Sequence, residues 1–236
     1  MNSFVLFGFQ HIGIMIVGAI GVFLMLFLAN INYKIFPKAL GITILILKLA
    51  ELGYRHIIAG EPIHSMLPLH LCNLTIIFAI LVIAFRVDFF FSIVYYWSIG
   101  AIFAILTPDV TRSLPYFPTF SFFITHFFIL FAPLCCIMIF NMRPTLKDYW
   151  SAFILLNVCA FIIFFINRKL GTNYLFINRI PEFASPLKLL YKLPKPYDRI
   201  ANWPYYILVI EGLYLFITYL MYLPFKRKKT QFIPKK

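Results

Sequence analysis

The chain has 236 residues, of which 62% are hydrophobic and 12% are charged, and its mean hydropathy is +0.90. Soluble domains carry about 25% charged residues, so this composition excludes an ordinary soluble domain and indicates a protein of the lipid bilayer. The net charge is +13, and the basic residues lie mainly between the apolar runs and in the C-terminal tail. Basic residues in these places indicate anchors for anionic lipid, and we expect no nucleic-acid partner.

Seven apolar segments approach the roughly 20 residues that a membrane-spanning helix needs. In chain order, the predicted spans cover residues 12–29, 39–59, 69–85, 89–106, 119–140, 149–166 and 204–225. Proline or charged residues mark the joints between most of them. The sequence therefore predicts an all-α, polytopic protein of the cell membrane, a seven-transmembrane helix bundle that forms one domain over residues 1–236.

The distribution of Lys and Arg predicts the orientation of the bundle. With the C-terminus in the cytoplasm and the N-terminus outside, the short outside segments hold only Arg112. The basic residues assigned to the inside are Lys34, Lys38, Arg86, Arg143, Lys147, Lys226, Arg227, Lys228, Lys229, Lys235 and Lys236. Residues 167–203 disagree, because they are placed outside yet carry seven basic residues. Long segments cross a membrane largely regardless of charge, so we predict a proline-rich loop lying on the membrane surface.

Ionisable residues inside the predicted spans are costly, at about 2.5 to 3.5 kcal/mol each, and usually face a cavity or one another. Lys48, Glu51 and Arg55 are spaced three and four residues apart, which places them on one face of the second span. The simplest interpretation is an ion pair of Glu51 that only holds the bundle together. The alternative is a functional site.

Four predicted spans place polar groups at similar depth in the outer half of the bilayer. Counted at 1.5 Å per residue from the outer end of each helix, the depths are about 5 Å for Cys72, 6 Å for Arg55, 10 Å for His126, 10 Å for Glu211 and 12 Å for Glu51. His56, His70 and Asn73 belong to the same layer. Because this inference needs only alternating spans, it holds even if the orientation is inverted.

Within this layer, Cys72 and His126 are a nucleophile and a base of the kind that acyl transfer uses. A free thiol with a pKa near ~8.5 is weakly ionised at neutral pH, and an adjacent imidazole raises the thiolate fraction. Glu51 or Glu211 would orient the imidazole, and Asn73 would stabilise an oxyanion. The full set of expected supporting residues is Glu51, Arg55, His56, His70, Asn73 and Glu211. Packing roles for the cysteine and the histidine remain the alternative.

The cysteines and histidines give no metal-ligand spacing, and we expect neither a metal nor a cofactor. All four cysteines lie in apolar runs, which argues against a disulfide framework. His70 and Cys72 are two residues apart and point to different faces of a helix. A zinc site formed by His56, His70 and His126 is the alternative.

Three motifs carry a resemblance to a known family. They are residues 67–74 (LPLHLCNL), residues 171–176 (GTNYLF) with the later Pro181, and residues 203–206 (WPYY). Over nearly the whole chain the sequence resembles the YwaF-type family of bacterial integral membrane proteins. That family is similar to the eukaryotic transmembrane acyltransferases that remodel ether phospholipids, and more distantly to the androgen-induced membrane hydrolases of lipid esters.

The resemblance implies CoA-independent transfer of a fatty acyl chain between phospholipids, through a thioester on the cysteine of the Leu-His-Leu-Cys motif. That cysteine corresponds to Cys72, and the family's histidine corresponds to His126. The distant hydrolases use a threonine nucleophile where this chain has a cysteine, which disfavours simple ester hydrolysis. Membrane phospholipids are the expected partners.

Two questions stay open at the level of the sequence. Asn173, Tyr174 and Arg179 are candidates for binding the substrate, with the arginine holding its phosphate, but the first two residues would equally cap and anchor the loop. The same outer polar pocket would also suit a protein that binds or transports a small polar or lipidic ligand. The absence of an inverted repeat and of a broken helix pair argues against a transporter, and a purely structural subunit is a third option.

Overall fold

The computed structural model describes residues 3–180 and 204–226, and the regular structure of this part of the chain is helical apart from one isolated bridge between Ser3 and Arg112. The α-helices are α1 (Phe9–Ile31), α2 (Phe36–Gly53), α3 (Leu71–Phe85), α4 (Phe91–Trp97), α5 (Ile99–Leu106), α6 (Phe117–Met138), α7 (Leu146–Leu170) and α8 (Tyr205–Tyr222). A π-helical turn, Tyr54–Ile58, continues α2.

Five described helical segments are long and apolar enough to cross a membrane, which confirms an all-α membrane protein. They are Phe9–Ile31, Asp88–Leu106, Phe117–Met138, Leu146–Leu170 and Tyr205–Phe225. The other two predicted spans correspond to α2, which carries Lys38, Lys48 and Glu51 within 18 residues, and to α3, which has only 15 residues. The count of seven spans therefore stays a prediction.

The ends of the predicted spans differ from the observed helices in two informative places. The fourth span is interrupted at Ser98, between α4 and α5, where the serine hydroxyl donates to the Tyr95 carbonyl at 2.7 Å. The helix of the sixth predicted span, α7, continues to Leu170, so the beginning of the predicted surface loop is helical. Most of that loop, residues 181–203, lies outside the described residues.

The central helix is α6, of whose spanning window 67% is buried, compared with 17% in α1, 17% in α7 and 11% in α8. Phe128, Ile129 and Phe131 are almost completely buried in this core. On α1, a Cβ atom at Gly18 would lie 1.9 Å from the ring of Phe127, so a glycine there lets the two helices approach. The outer helices present many large apolar side chains, as expected of surfaces that face lipid.

The chain segments at one end of the bundle are joined by hydrogen bonds, and we call this the N-terminal end. Phe4 N–H donates to the Thr111 carbonyl at 3.0 Å, and Leu67 N–H donates to the hydroxyl of Tyr174, also at 3.0 Å. At the opposite end, Arg86 closes α3 in the left-handed conformation, with φ 57°, and leads into the turn Asp88–Phe90. This turn lies at the charged joint between the third and fourth predicted spans.

Candidate functional site

Glu51 is the centre of a buried charged cluster at the N-terminal end of the bundle. Its side chain is 6% exposed, and Lys48 Nζ lies 2.8 Å from Oε2, whereas Arg55 Nη1 lies 3.7 Å from Oε1. Ser121, on α6, donates its hydroxyl to the same Oε2 at 2.7 Å. One carboxylate thus receives two cations and a hydroxyl, which joins α2 to the central helix. We call these four residues the charged cluster.

The charged cluster extends into the turn after α2. Arg55 Nε donates to Glu61 Oε2 at 3.0 Å, so the guanidinium is shared between two carboxylates. His56 is exposed, and its Nδ1 lies 3.1 Å from the carbonyl oxygen of Glu61. The predicted supporting histidine therefore holds the turn and does not face the carboxylate of Glu51.

His126 lies on α6, is 6% exposed and packs on Phe122 at 4.0 Å between ring centroids. Its Nδ1 lies 2.6 Å from the Phe122 carbonyl oxygen. A carbonyl oxygen can only accept, so Nδ1 carries the proton, and Nε2 of the neutral ring carries the lone pair. The imidazole is oriented by its own helix, where the sequence suggested Glu51 or Glu211. Nε2 has no hydrogen-bond partner in the described part of the chain.

Cys72 is half-buried in the first turn of α3. Its Sγ is 4.0 Å from the position that a Cβ atom on Gly100 would take, so the backbone of α5 passes beside the sulfur. Lys48 interacts electrostatically with both Cys72 and His126. No hydrogen bond joins the thiol to the imidazole among the described residues, and the lysine is the charged group common to both.

The beginning of α3 offers hydrogen-bond donors around the thiol. The first helical bond is donated by Leu74 N–H to the His70 carbonyl at 3.1 Å, so the preceding N–H groups, of residues 71–73, have no helical acceptor. The half-buried side chain of Asn73 has no hydrogen-bond partner in the parts of the chain described. Such donors stabilise a negatively charged oxygen next to a nucleophile.

His70 connects this region to the loop after α7. Its ring contacts the rings of Tyr174 and Phe176, each at 5.0 Å between centroids. The Tyr174 hydroxyl donates to the His64 carbonyl at 2.7 Å and accepts from Leu67 N–H at 3.0 Å. Burial raises the pKa of this phenol, so it is a protonated donor at neutral pH.

A second polar group, which we call the amide network, comprises Asn167, Thr172, Asn173, Tyr174 and Asn178. Asn167 Nδ2 donates to the Tyr174 carbonyl at 2.9 Å, and its Oδ1 accepts from Tyr174 N–H at 2.8 Å. Asn173 Oδ1 accepts from the N–H groups of Asn178 and Arg179, both at 3.2 Å. The geometry gives Asn173 and Tyr174 an anchoring role in the loop, and the exposed Arg179 lies at its edge.

The remaining predicted site residue, Glu211, is half-buried on α8, and no described hydrogen bond or ion pair links it to the charged cluster. The three histidines of the zinc alternative, His56, His70 and His126, each contact different residues. Among the described residues, no set of three or more His, Cys, Asp or Glu side chains could hold a metal ion.

Sequence reasoning missed Ser121, Glu61 and Asn167. Ser121 had a usable signal, because it is a polar residue in a Phe-rich helix, five positions before His126. Asn167 had a weaker one, because it lies at the boundary between a predicted span and a loop.

Comparison with known proteins places the whole bundle in one family. The sequence model of the TMEM164 family matches residues 6–222, a range that includes all eight α-helices. A protein of Treponema pallidum (strain Nichols), described as uncharacterized, is 29% identical over 186 residues, which are 79% of this chain and 73% of the Treponema protein. No solved structure matches the chain.

Proposed function

This chain belongs to the TMEM164 family of membrane proteins, and we propose that it is a lipid acyltransferase that moves a fatty acyl chain between phospholipids through a thioester on Cys72. One observation carries the proposal. Lys48, held by Glu51, lies in electrostatic reach of both the thiol and an imidazole whose Nε2 has no hydrogen-bond partner among the described residues. The substrate class comes from the resemblance of the LPLHLCNL motif to the ether-phospholipid acyltransferases, with the YwaF-type proteins as bacterial counterparts.

In the first half-reaction, Cys72 Sγ attacks the ester carbonyl carbon of a donor phospholipid while Nε2 of His126 takes the thiol proton. The Lys48 ammonium stabilises the thiolate, and the N–H groups at the start of α3 stabilise the tetrahedral oxyanion. The intermediate collapses when the ester C–O bond breaks, and His126 returns the proton to the departing alkoxide. The products are a lysophospholipid and an acyl thioester on the cysteine.

In the second half-reaction, the hydroxyl of a lysophospholipid acceptor gives its proton to His126 Nε2 and attacks the thioester carbonyl. The C–S bond breaks, the acyl chain is now an ester of the acceptor, and the imidazole protonates the sulfur of Cys72. No acyl-CoA, cofactor or metal enters either step. The acyl chain is conserved, since one ester bond is broken and one is formed.

The proposal includes the topology predicted from the sequence. In it, α2 with its π-helical turn and α3 are the second and third of seven spans in the cell membrane, with the N-terminus outside and the C-terminus in the cytoplasm. Cys72 then lies in the outer leaflet at the shallow depth, just below the headgroups, where phospholipid ester carbonyls are found, and the carboxylate of Glu51 lies deeper. The supporting observation is that residues 3–8, 54–70 and 107–116 meet at one end of the bundle, as alternating spans require.

The experiment compares purified wild type with Cys72→Ser in mixed phospholipid and lysophospholipid micelles. We expect acyl exchange between lipids, and an acyl mass adduct on the wild-type protein, by lipid and intact-mass spectrometry. Both signals should disappear in Cys72→Ser, because the hydroxyl is nearly isosteric with the thiol but a far weaker nucleophile at neutral pH.

Cys159→Ser is the matched control, because Cys159 is also half-buried in a helix, α7, and is outside the charged cluster. Exchange that persists in Cys72→Ser would refute the thioester. Equal lipid profiles in wild type and both variants, without any adduct, would favour a lipid-binding or transport protein whose polar pocket is the same cluster.

A further inference from the structure

The opposite end of the bundle contains a cavity of about 400 Å³ at the junction of the α1–α2 joint and the end of α3. Its walls include Tyr33, Lys34 and Lys38 from the first segment, and Phe85 and Arg86 from the second. Three basic side chains from two separate joints therefore border one space. None of these residues belongs to the charged cluster around Glu51.

The packing of α2 against α3 forms the floor of this cavity. A Cβ atom on Gly41 would lie 2.8 Å from the Cβ atom of Ala84, so the two helices are in close contact at that crossing. Ala84 also lines the cavity. This crossing is close to the beginning of α2, at Phe36, and to the end of α3, at Phe85, and residues next to both helix ends line the same cavity. The glycine thus allows the helices to meet directly beside this space.

The cavity has more positive charge than its described acidic neighbours balance. Asp88 Oδ1 lies 3.4 Å from Arg86 Nε, and both side chains are about half exposed. The guanidinium also lies over the ring of Phe140, with Cζ 3.7 Å from the centroid, which restrains its plane. Lys34 and Lys38 form no ion pair with any residue in the described ranges. The two lysines, together with an arginine that shares its charge with Asp88, therefore leave net positive charge beside the cavity to attract an anion.

We infer that this cavity binds a phosphate group, and that the phosphate is that of an anionic phospholipid headgroup. Arg offers a planar fork that matches phosphate oxygens, and Lys adds compact positive charges. Basic pockets at the ends of membrane helices are suited to lipid headgroups, and the exposed Phe85 beside the cavity would contact the lipid below its phosphate.

The site is separate from the one proposed for acyl transfer. At 1.5 Å per residue, the 18 residues of α2 separate its two ends by about 27 Å. Lys38 lies near one end of this helix and Glu51 near the other, about 20 Å apart along the axis, which is well over half the thickness of a hydrocarbon core. The lipid would therefore occupy the leaflet opposite the charged cluster, as a bound structural lipid and not as a substrate.

The experiment measures lipid binding to the purified full chain by native mass spectrometry, with phosphatidylglycerol, phosphatidylcholine and inorganic phosphate as separate probes. We expect tighter binding of phosphatidylglycerol than of phosphatidylcholine, and at least about tenfold weaker phosphatidylglycerol binding in Lys34→Gln/Lys38→Gln. Arg86→Gln should weaken it as well. Lys147→Gln is the matched control, since Lys147 is an exposed base at the same end of the bundle that does not line the cavity.

Equal weakening in Lys147→Gln would overturn the proposal, because it would indicate diffuse attraction between a basic surface and anionic lipid. Binding of inorganic phosphate with the same dependence on the two lysines would overturn the assignment to a lipid and indicate a site for free phosphate. If the double variant does not fold, the single variants Lys34→Gln and Lys38→Gln provide the same comparison. None of these results depends on acyl transfer.

Discussion

The charged cluster and the amide network are two polar groups at the same end of the bundle, and they differ in how completely their atoms are paired. Every polar atom of the Asn167 side chain has a partner within the network, and the hydroxyl of Tyr174 both donates and accepts. Beside the charged cluster, Nε2 of His126 and the amide of Asn73 have no hydrogen-bond partner among the described residues.

Pairing of every polar atom of the Asn167 side chain and of the Tyr174 hydroxyl stabilises one conformation of the loop and leaves these two side chains no capacity for a ligand. Beside the charged cluster, the acceptor Nε2 of His126 and the amide donors of Asn73 are unpaired among the described residues, so they are suited to bind a ligand. The difference therefore separates a structural polar region from a candidate reactive one, and variants of each should affect different measurements.

The largest expected effect belongs to His126→Gln. The glutamine side chain has a similar size but cannot accept and return a proton, so acyl exchange should fall by about 10²- to 10⁴-fold. Thermal stability should change little. The measurement is the rate of acyl exchange by lipid mass spectrometry, together with a thermal unfolding curve for each protein.

The matched control is His64→Gln, because the side chain of His64 is exposed and only its backbone carbonyl contacts Tyr174. Its exchange rate should equal that of the wild type. An unchanged rate in His126→Gln would remove the imidazole from the mechanism and would leave the charged cluster as a structural feature.

Glu51→Gln should destabilise the fold by about 4 kcal/mol, because it leaves buried positive charge without its carboxylate. Lys48 loses its 2.8 Å partner, whereas Arg55 keeps Glu61. The free energy of unfolding would be measured by denaturant titration in detergent micelles. Glu61→Gln is the comparison, and it should cost much less because that side chain is 33% exposed. Equal losses of unfolding free energy in the two variants would show that Glu51 is no more important to the charged cluster than the more exposed Glu61.

The sequence predicted the helical class and most element positions, because membrane spans have a strong compositional signal. It did not predict the break at Ser98, since a hydroxyl within an apolar run is compatible with an unbroken helix. There is also a physical reason why α2 and α3 are not among the five helical segments that are long and apolar enough to cross a membrane. α2 carries Lys38, Lys48 and Glu51, and α3 is short, so both depend on packing against α6 as well as on lipid.

For the candidate site, helical spacing was sufficient to predict the ion pairs of Glu51, because residues three and four apart must share a face. Spacing could not identify the Phe122 carbonyl as the partner of His126, since every helix offers such an acceptor and the choice depends on the rotamer. Spacing also could not identify Ser121 as a partner of Glu51, because contacts between two helices depend on how each helix is rotated about its axis and shifted along its neighbour.

Asn167→Ala should cost about 3 kcal/mol of unfolding free energy, since it removes four hydrogen bonds whose net contributions are about 0.5 to 1 kcal/mol each. Acyl exchange per folded molecule should be retained. Asn157→Ala is the control on the same helix, because its side chain makes one described bond, to the Phe153 carbonyl at 3.1 Å. Equal costs in the two variants would show that the amide network is not a cooperative unit.

Tyr174→Phe should have the smallest effect, about 2 kcal/mol of unfolding free energy, because it removes the two hydrogen bonds of the hydroxyl and keeps the ring against His70. The exchange rate should stay at the wild-type level. Tyr205→Phe is the control, since Tyr205 is exposed and its hydroxyl makes no hydrogen bond within the described residues. A lower exchange rate in Tyr174→Phe at unchanged stability would indicate that this hydroxyl binds the substrate and does not anchor the loop. It would also extend the reactive region from the charged cluster into the loop after α7.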